Sequence, residues 1–199
     1  MDINKIHNGD CLEAMKLMQD NEFDLAIVDP PYGIGIGKNP VRQKHKKKEW
    51  DNSIPTNEYF KELFRVSKEQ IIWGGNYFNL PPTQGFFIWD KKQPHDFSLA
   101  MCEYAWSSLQ KPAKMWRLSV LKDKGKIHPT QKPVELYEWL LINNTQQGDK
   151  ILDTHLGSGS IAIACHNLGF DLTGYELDKE YYNNAIKRIK NHQAQLRLI

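Results

Sequence analysis

The residues best suited to chemistry form the run Asp29-Pro30-Pro31-Tyr32, which directly follows the apolar segment ending at Val28. Two consecutive prolines cannot continue a sheet, so the chain must leave the predicted strand in a stiff, extended turn. Such a turn fixes a carboxylate, a backbone carbonyl and an aromatic ring at the carboxyl end of a strand, where α/β sheets bind their ligands. The run therefore predicts a ligand site rather than a simple connection between two elements.

These groups suit reaction at an exocyclic amine of adenine or cytosine. The lone pair of that nitrogen is delocalised into the ring, and it becomes localised when the Asp29 carboxylate and a proline carbonyl accept the two N–H bonds. Tyr32 is a candidate to stack on a base rotated out of a duplex, where the target atom is inaccessible. With a sulfonium as methyl donor, transfer would be an in-line displacement that depends on positioning and electrostatics. Methylation of a ring carbon of cytosine typically uses a Pro-Cys pair, and none of the three cysteines follows a proline.

A second motif, residues 151–160, combines a short apolar strand, a glycine-rich turn and the start of an apolar helix. Gly157 and Gly159 let the backbone approach a ligand closely, and Glu176 ends the next predicted strand, where an acid can accept both hydroxyls of a ribose. With Ala162, the unit also fits the Gly-x-Gly-x-x-Ala variant of a dinucleotide fingerprint. Taken alone, it leaves S-adenosylmethionine and a nicotinamide dinucleotide open as ligands. The absence of a lysine after the glycines argues against a P-loop.

Together the two motifs resemble the β-type amino-methyltransferases of DNA, in which Asp-Pro-Pro-Tyr precedes the glycine-rich motif. The resemblance covers nearly the whole chain, because Asn8-Gly9-Asp10, Trp73-Gly74-Gly75-Asn76 and residues 128–133 are also similar to motifs of that family. It implies that the Asp form of the catalytic motif acts on adenine, and that Asp10 reads the adenine of the cofactor. It also implies that residues 128–133 hold the methionine end of the cofactor at a helix start.

The resemblance further implies S-adenosyl-L-methionine as cofactor, double-stranded DNA as substrate, and two sets of site residues. The catalytic set is Asp29, Pro30, Pro31 and Tyr32. The cofactor-binding set is Asp10, Asp29, Thr130, Lys132, Asp153, Leu156, Gly157, Ser158, Gly159 and Glu176. One departure lies inside the cofactor loop, where the family usually has Pro-Phe after the Asp and this chain has Thr154 and His155. It affects the apolar contact that a Phe would make with the cofactor, but not the backbone turn.

The segments that must position these residues alternate between short apolar runs and stretches of helical period. The seven strand candidates are residues 5–7, 25–28, 71–73, 86–89, 104–106, 151–152 and 172–173. The last predicted helix, capped by Asp178, would bury Tyr182, Ile186 and Ile189. Continuous apolar strands indicate burial on both faces. The pattern thus predicts one α/β domain over residues 1–199, with a doubly wound, mostly parallel, seven-stranded sheet. The resemblance implies that this sheet is Rossmann-like and has the permuted motif order.

Positive charge is concentrated in one segment, although the net charge of the chain is only +2. A run of basic residues is often a solvated loop, but this one follows the Asp-Pro-Pro-Tyr run closely. Its position predicts contacts with DNA phosphates. The residues concerned are Arg42, Lys44, Lys46, Lys47 and Lys48. Residues 34–55 are accordingly predicted to be a basic loop. The resemblance implies that residues 107–127 are a short insertion that recognises the target sequence.

Composition excludes several classes of protein. No apolar run approaches the length of a membrane helix, and the start of the chain lacks a signal-peptide pattern. The three cysteines and seven histidines indicate neither a disulfide framework nor a metal site, so a cytoplasmic setting without membrane or metal is expected. A homodimer is a candidate assembly. Three alternatives stay open: the same chemistry on cytosine N4 or on RNA, a nicotinamide-dependent oxidoreductase, and a non-catalytic nucleic-acid-binding relic for which His155 is the only hint.

Overall fold

The computed structural model describes residues 4–35, 51–94, 96, 100–119 and 127–195. The strands in these ranges are β1 Asn4–Asn8, β2 Phe23–Val28, β3 Ser67–Trp73, β4 Phe86–Asp90, β5 Cys102–Ser107, β6 Lys114–Arg117, β7 Lys150–Asp153 and β8 Asp171–Glu176. The helices are α1 Cys11–Met15, α2 Asn57–Val66, α3 Val134–Asn144, α4 Ser160–Leu168 and α5 Lys179–Ala194, and a 3-10 turn spans Gly75–Tyr77. In this part of the chain, no helix has the length and apolar character needed to cross a membrane.

All the strands form one sheet in the order β1-β8-β7-β2-β3-β5-β4-β6. Neighbouring strands are parallel except around β5, which runs antiparallel to both β3 and β4. The order places β7, which comes late in the chain, directly beside β2, with Ala26 opposite Leu152. The two motifs therefore follow neighbouring parallel strands.

The described sheet has eight strands rather than the predicted seven. Each predicted strand lies within an observed one, and the additional strand is β6, which pairs with β4 at the edge of the sheet. Its sequence gave no apolar run because an edge strand is open to solvent, and Met115 is 54% exposed. Residues 114–117 of the predicted recognition insertion thus belong to the sheet. Residues 120–126 of that insertion lie outside the described residues.

Helices cover both faces of the sheet, which explains the continuous apolar strands. On β2, Leu25 and Ile27 pack on one side in a cluster with residues of α3, α4 and α5. Ala26 and Val28 pack on the other side, with residues of α1 and α2. Burial on both faces is expected of a parallel sheet, and it confirms the doubly wound α/β prediction.

The helix α5 begins at the predicted cap, Asp178, whose carboxylate accepts backbone N–H groups of the first turn. The prediction for its buried face was wrong in part, because Tyr182 and Ile186 are only half-buried. The residues it buries are Tyr181, Ala185 and Ile189. The small Ala185 lets the helix approach the glycine-rich loop, where a Cβ on Gly159 would lie 3.0 Å from Ile189.

Candidate active site

Four carboxylates come together where β1, β2, β7 and β8 end. Asp29 follows β2, Asp153 and Glu176 are the last residues of β7 and β8, and Asp10 follows β1 after one intervening glycine. Burial raises the pKa of Asp153 to about 8, and the charges of Asp29 and Glu176 act in the same direction. This edge of the sheet is therefore acidic and favours a ligand that carries positive charge or many hydrogen-bond donors.

Asp29 is held on both of its carboxylate oxygens. Tyr32 donates its hydroxyl hydrogen to Oδ1 over 2.6 Å, and Nζ of Lys132 lies 2.5 Å from Oδ2. The Asp29 side chain is nevertheless 18% exposed, so a ligand can reach it. Each carboxylate oxygen has a second lone pair for a further donor. Asp29 is thus fixed in place and still able to accept hydrogen bonds.

Lys132 connects Asp29 to a second carboxylate, Glu103 on β5. Its Nζ lies 3.0 Å from Glu103, which also pairs with Lys91 at 2.6 Å. Burial opposes the charge on Lys132, but Asp29 and Glu103 outweigh it and raise the pKa of the ammonium. Burial likewise disfavours the ionised form of Glu103, but Lys132 and Lys91 outweigh it and lower its pKa to about 2. Lys132 is therefore a buried cation held between two carboxylates.

The ring of Tyr32 lies against the chain that leaves β3. A Cβ on Gly74 would stand 2.1 Å from that ring, and Gly74 has a φ of 69°, so both space and conformation require glycine there. Tyr77 stacks on Tyr32 with ring centroids 4.9 Å apart and an angle of 11° between the planes. Because Tyr77 is 43% exposed, a second aromatic surface is present beside the predicted stacking residue.

Asp51 holds the turn at residues 29–33 from the other side. Its Oδ1 accepts the backbone N–H of Tyr32 at 2.7 Å and that of Gly33 at 2.9 Å. The residue is only 2% exposed. Asp51 lies in residues 34–55, the segment that the sequence predicts to be a basic loop. This end of the segment therefore supports the site directly.

The glycine-rich loop is fastened to the end of β8 by Glu176. One oxygen of this carboxylate accepts the N–H of Gly157 at 2.9 Å, and the other accepts the N–H of Asp178 at 2.9 Å. Gly157 and Gly159 have φ of 54° and 73°, a conformation that favours glycine. Glu176 therefore positions the loop, and its remaining lone pairs are available to a ligand.

The other predicted cofactor residues surround this loop. Leu156 and Ser158 are buried. Asp10 caps α1 by accepting the N–H of Leu12 at 2.8 Å. Thr130 lies two residues before Lys132. Its hydroxyl is 3.1 Å from Nδ1 of His128. Asp10 thus has a local structural contact of its own, which a ligand would share.

Thr154 and His155 form a polar pair at the two positions where the resembled family usually has Pro-Phe. Oγ1 of Thr154 lies 2.7 Å from the hydroxyl of buried Tyr59 and 2.9 Å from Nδ1 of His155. The rings of Tyr59 and His155 pack edge to face at 5.4 Å. Burial lowers the pKa of His155 to about 4, against the opposing charge of Asp10, so the imidazole is neutral at neutral pH.

The structure thus brings together residues from every described motif that the sequence singled out. Four site residues were not predicted from the sequence: Glu103, Lys91, Asp51 and Tyr77. Glu103 lies two residues from buried Ala105 on β5, so the two side chains share one face of the strand. An acid on a buried face is the signal that would have identified it. The predicted DNA-contacting residues Arg42, Lys44, Lys46, Lys47 and Lys48 lie outside the described residues. Within the described ranges, no group of three or more His, Cys, Asp or Glu side chains could hold a metal ion.

Residues 87–187 match a family model of N6/N4 methyltransferases described as DNA methylase. The Type II methyltransferase M2.MboI of Moraxella bovis is 27% identical to this chain over 92% of its length and 86% of the relative. For M.HpaI of Haemophilus parainfluenzae, the identity is 25% over 91% of the chain and 72% of the relative.

Two solved structures share the fold. The complex of M1.HpyAVI with SAM has a TM-score of 0.65 at 21% identity, covering 93% of this chain and 99% of that one. The cytosine-N4-specific PvuII DNA methyltransferase has a TM-score of 0.65 at 14% identity, covering 98% and 88%. At these identities the likeness shows the fold alone.

Proposed function

This chain belongs to the N6/N4 family of DNA methylases, and on that premise we propose that it transfers a methyl group from S-adenosyl-L-methionine to N6 of adenine in double-stranded DNA. The observation that carries the proposal is the position of Asp29-Pro30-Pro31-Tyr32 at the end of β2, directly beside the strand that precedes the cofactor loop. The Asp form of the motif favours adenine over cytosine as the target base.

The chemistry of the described residues fits the cofactor. S-adenosyl-L-methionine carries a sulfonium and an ammonium, and its ribose and adenine donate hydrogen bonds. Asp10, Asp29 and Glu176 offer negative charge at one edge of the sheet, and Asp153, whose pKa is raised to about 8, adds hydrogen-bonding oxygens there. Glu176 beside Gly157 suits the ribose hydroxyls, and the start of α3 after Pro133 offers unpaired backbone N–H groups to a carboxylate. When bound, the cofactor supplies an activated methyl group.

Asp29 and the carbonyl of Pro30 accept the two N–H bonds of the target amine. This draws the nitrogen towards a tetrahedral shape and frees its lone pair for in-line attack on the methyl carbon. A carbon–nitrogen bond forms as the carbon–sulfur bond breaks, and S-adenosylhomocysteine leaves. The methylated amine then releases one proton, for which Asp29 is the acceptor already in hydrogen-bonding contact.

Two tyrosines are placed to hold the extrahelical base. Tyr32 lies next to Asp29 and is itself stacked by the half-exposed Tyr77. Stacking of a base on an aromatic ring contributes about 1–3 kcal/mol. A base entering the site therefore either displaces Tyr77 and stacks on Tyr32, or stacks on the exposed face of Tyr77.

Lys132 acts as a positioning residue for Asp29. It holds one carboxylate oxygen at a fixed place, while Glu103, which also pairs with Lys91, holds Lys132. The pair is buried, so the carboxylate does not have to reorganise as charge develops in the transition state.

The nicotinamide alternative accounts for the glycine loop but not for the acidic edge. A dinucleotide brings a diphosphate, which the carboxylates around the loop would repel. It also leaves Asp29 to Tyr32 without a role. The methylase proposal uses both features.

Mass spectrometry of nucleosides tests the proposal. Double-stranded DNA is incubated with the protein and labelled S-adenosyl-L-methionine, digested and analysed, with a parallel RNA substrate. We expect labelled N6-methyl-2′-deoxyadenosine from DNA. Labelled N4-methyl-2′-deoxycytidine, or label in RNA alone, would contradict the choice of substrate, and the absence of label from both would contradict the activity.

A further inference from the structure

A polar chain runs from the core into the cofactor loop through Tyr59, Thr154 and His155. The Tyr59 hydroxyl contacts Oγ1 of Thr154, and the same Oγ1 contacts Nδ1 of His155. In the described part of the molecule, these side chains make no other hydrogen bonds. Each of the two hydroxyls has one hydrogen to donate, so the direction of the chain can be worked out.

Tyr59 fixes that direction. Its side chain is 3% exposed, and Thr154 is the one described partner of its hydroxyl. A buried O–H must therefore donate to Thr154 Oγ1. Thr154 then donates its own hydrogen to Nδ1 of His155. Since Nδ1 is an acceptor and the imidazole is neutral, the ring hydrogen is on Nε2.

The opposite direction leaves a donor unsatisfied. If Nδ1–H of His155 donated to Thr154, and Thr154 donated to Tyr59, the Tyr59 hydroxyl hydrogen would have no acceptor in the described residues. If Tyr59 and His155 both donated to Thr154, the threonine hydrogen would have none. An unsatisfied buried donor costs about 1–3 kcal/mol. The Nε2–H tautomer is the arrangement that satisfies every group.

Nε2 of His155 is free to contact a ligand. His155 is half-buried, and Nε2 is neither paired with a described residue nor among the buried unpaired atoms. The ring lies between Asp153 and Gly157 in the chain and within the field of Asp10. All three belong to the proposed cofactor site. This edge has many acceptors, and Nε2–H is a neutral donor among them.

We infer that His155 presents Nε2–H as a hydrogen-bond donor to the adenosyl part of the cofactor, and that Tyr59 and Thr154 set this tautomer. The inference rests on the proposed cofactor site. The adenine ring nitrogens and ribose oxygens are acceptors that the surrounding carboxylates cannot satisfy. A Phe at this position would offer only an apolar edge, so this chain replaces a packing contact with a directional one.

Long-range proton–nitrogen NMR on histidine-labelled protein without cofactor tests the tautomer. We expect the hydrogen on Nε2 in the wild type and a partial shift to Nδ1 in Thr154→Val, because no hydroxyl then donates to Nδ1. Thr154→Ser, which keeps the hydroxyl, is the matched control and should change nothing. A hydrogen on Nδ1 in the wild type, or no response in Thr154→Val, would overturn the relay.

Calorimetry with two ligands tests the donor itself. The probes are S-adenosylhomocysteine and 5′-methylthioadenosine, which lacks the amino-acid part. We expect His155→Phe to bind both about 3- to 10-fold more weakly, in line with one lost hydrogen bond. Thr154→Val should follow it, whereas Thr154→Ser, which keeps the hydroxyl, should bind like the wild type. Thermal unfolding of each variant verifies that it is folded.

The outcomes separate the inference from the function on which it rests. Equal or tighter binding of both probes by His155→Phe would overturn the donor role. Weaker binding of S-adenosylhomocysteine alone would place the contact on the amino-acid part and also overturn it. If the wild type bound neither probe, the proposed cofactor site itself would be wrong.

Discussion

Nζ of Lys132 lies 2.5 Å from Oδ2 of Asp29, although 103 residues separate them in the chain. Strand β2 delivers the carboxylate, and the segment before α3 delivers the ammonium. A buried ion pair adds little net stability, because desolvation of both charges offsets their attraction. The contact is therefore better explained as positioning of a reacting group than as a contribution to the stability of the fold.

Replacement of Glu103 tests this positioning. We expect Glu103→Gln to lower kcat about tenfold, ~1.4 kcal/mol of barrier, while cofactor affinity stays unchanged. The amide oxygen can still accept from Lys132, but with one carboxylate charge lost, the ammonium binds Asp29 more tightly and weakens it as an acceptor for the amine. Single-turnover methyl transfer and calorimetry measure the two quantities.

Asp90→Asn is the matched control for that variant. Asp90 ends the neighbouring strand β4 and pairs with Arg117, whose side chain is 66% exposed. Surface pairs of this kind contribute about 0–1 kcal/mol, so kcat should not change. An equal loss in both variants, or none in Glu103→Gln, would remove the positioning role.

Cofactor affinity should depend on the acids at the ends of β1 and β8. Asp10→Ala and Glu176→Ala each remove an acceptor for a buried ligand donor, and we expect binding to weaken by about 1–3 kcal/mol. Glu176→Gln removes the charge and keeps one oxygen, which can accept from Gly157 but then leaves the N–H of Asp178 without its acceptor. Asp171→Asn, at the exposed start of the same strand, is the control. Unchanged affinity in both alanine variants, with folding intact, would place the cofactor elsewhere.

Stability should depend on pH through Asp153. Its folded pKa of about 8 lies above the ordinary value of 3.8, so the native state binds more protons than the unfolded state between those values. Its contribution to stability is therefore lost as pH rises from about 4 to 8. Asp153→Asn removes this dependence and keeps an acceptor for the N–H of His155.

Thermal unfolding without cofactor, from pH 5 to pH 9, measures the effect. The variant should gain stability relative to the wild type as pH rises. A difference between the two proteins that stays constant across the range would mean that Asp153 does not titrate there.

The sequence predicted the parts of the site that depend on local pattern. Prolines after an apolar strand located Asp29, and glycines before an apolar helix located the loop at Gly157, since each motif stands at the end of its own strand. Glu103 was missed because its only local signal is one acid on the face of a short strand that also buries Ala105, and its partner Lys132 lies 29 positions later in the chain. The edge strand β6 lacked an apolar run for a physical reason, its exposure to solvent.

The basic segment should supply affinity for DNA without choosing its sequence. Lysines offer point charges to phosphates rather than the planar fork that reads guanine. Replacing Lys44, Lys46, Lys47 and Lys48 with Gln should weaken binding to all duplexes alike, and the salt dependence should flatten by up to about four units of slope. Binding to specific and random duplexes across a salt series measures this, with mapping of methylated sites.

The control for this variant changes the net charge equally at exposed lysines elsewhere. Those residues are Lys61, Lys179, Lys187 and Lys190. Replacing these four lysines with Gln should leave the salt slope of DNA binding nearly unchanged. A changed methylated sequence with an unchanged slope in the Lys44 to Lys48 variant would mean that the segment reads bases instead.

Methyl transfer by Asp29→Ala tests the role of the Asp29 carboxylate most directly. The variant loses the acceptor for the target amine, while Lys132 keeps its pairing with Glu103, so the buried cation is not left alone. Transfer of labelled methyl from S-adenosyl-L-methionine to DNA is measured beside calorimetric binding of the cofactor. The proposed mechanism predicts that transfer is abolished while the cofactor still binds. Transfer within about tenfold of the wild-type rate, roughly 1.4 kcal/mol of barrier, would contradict it.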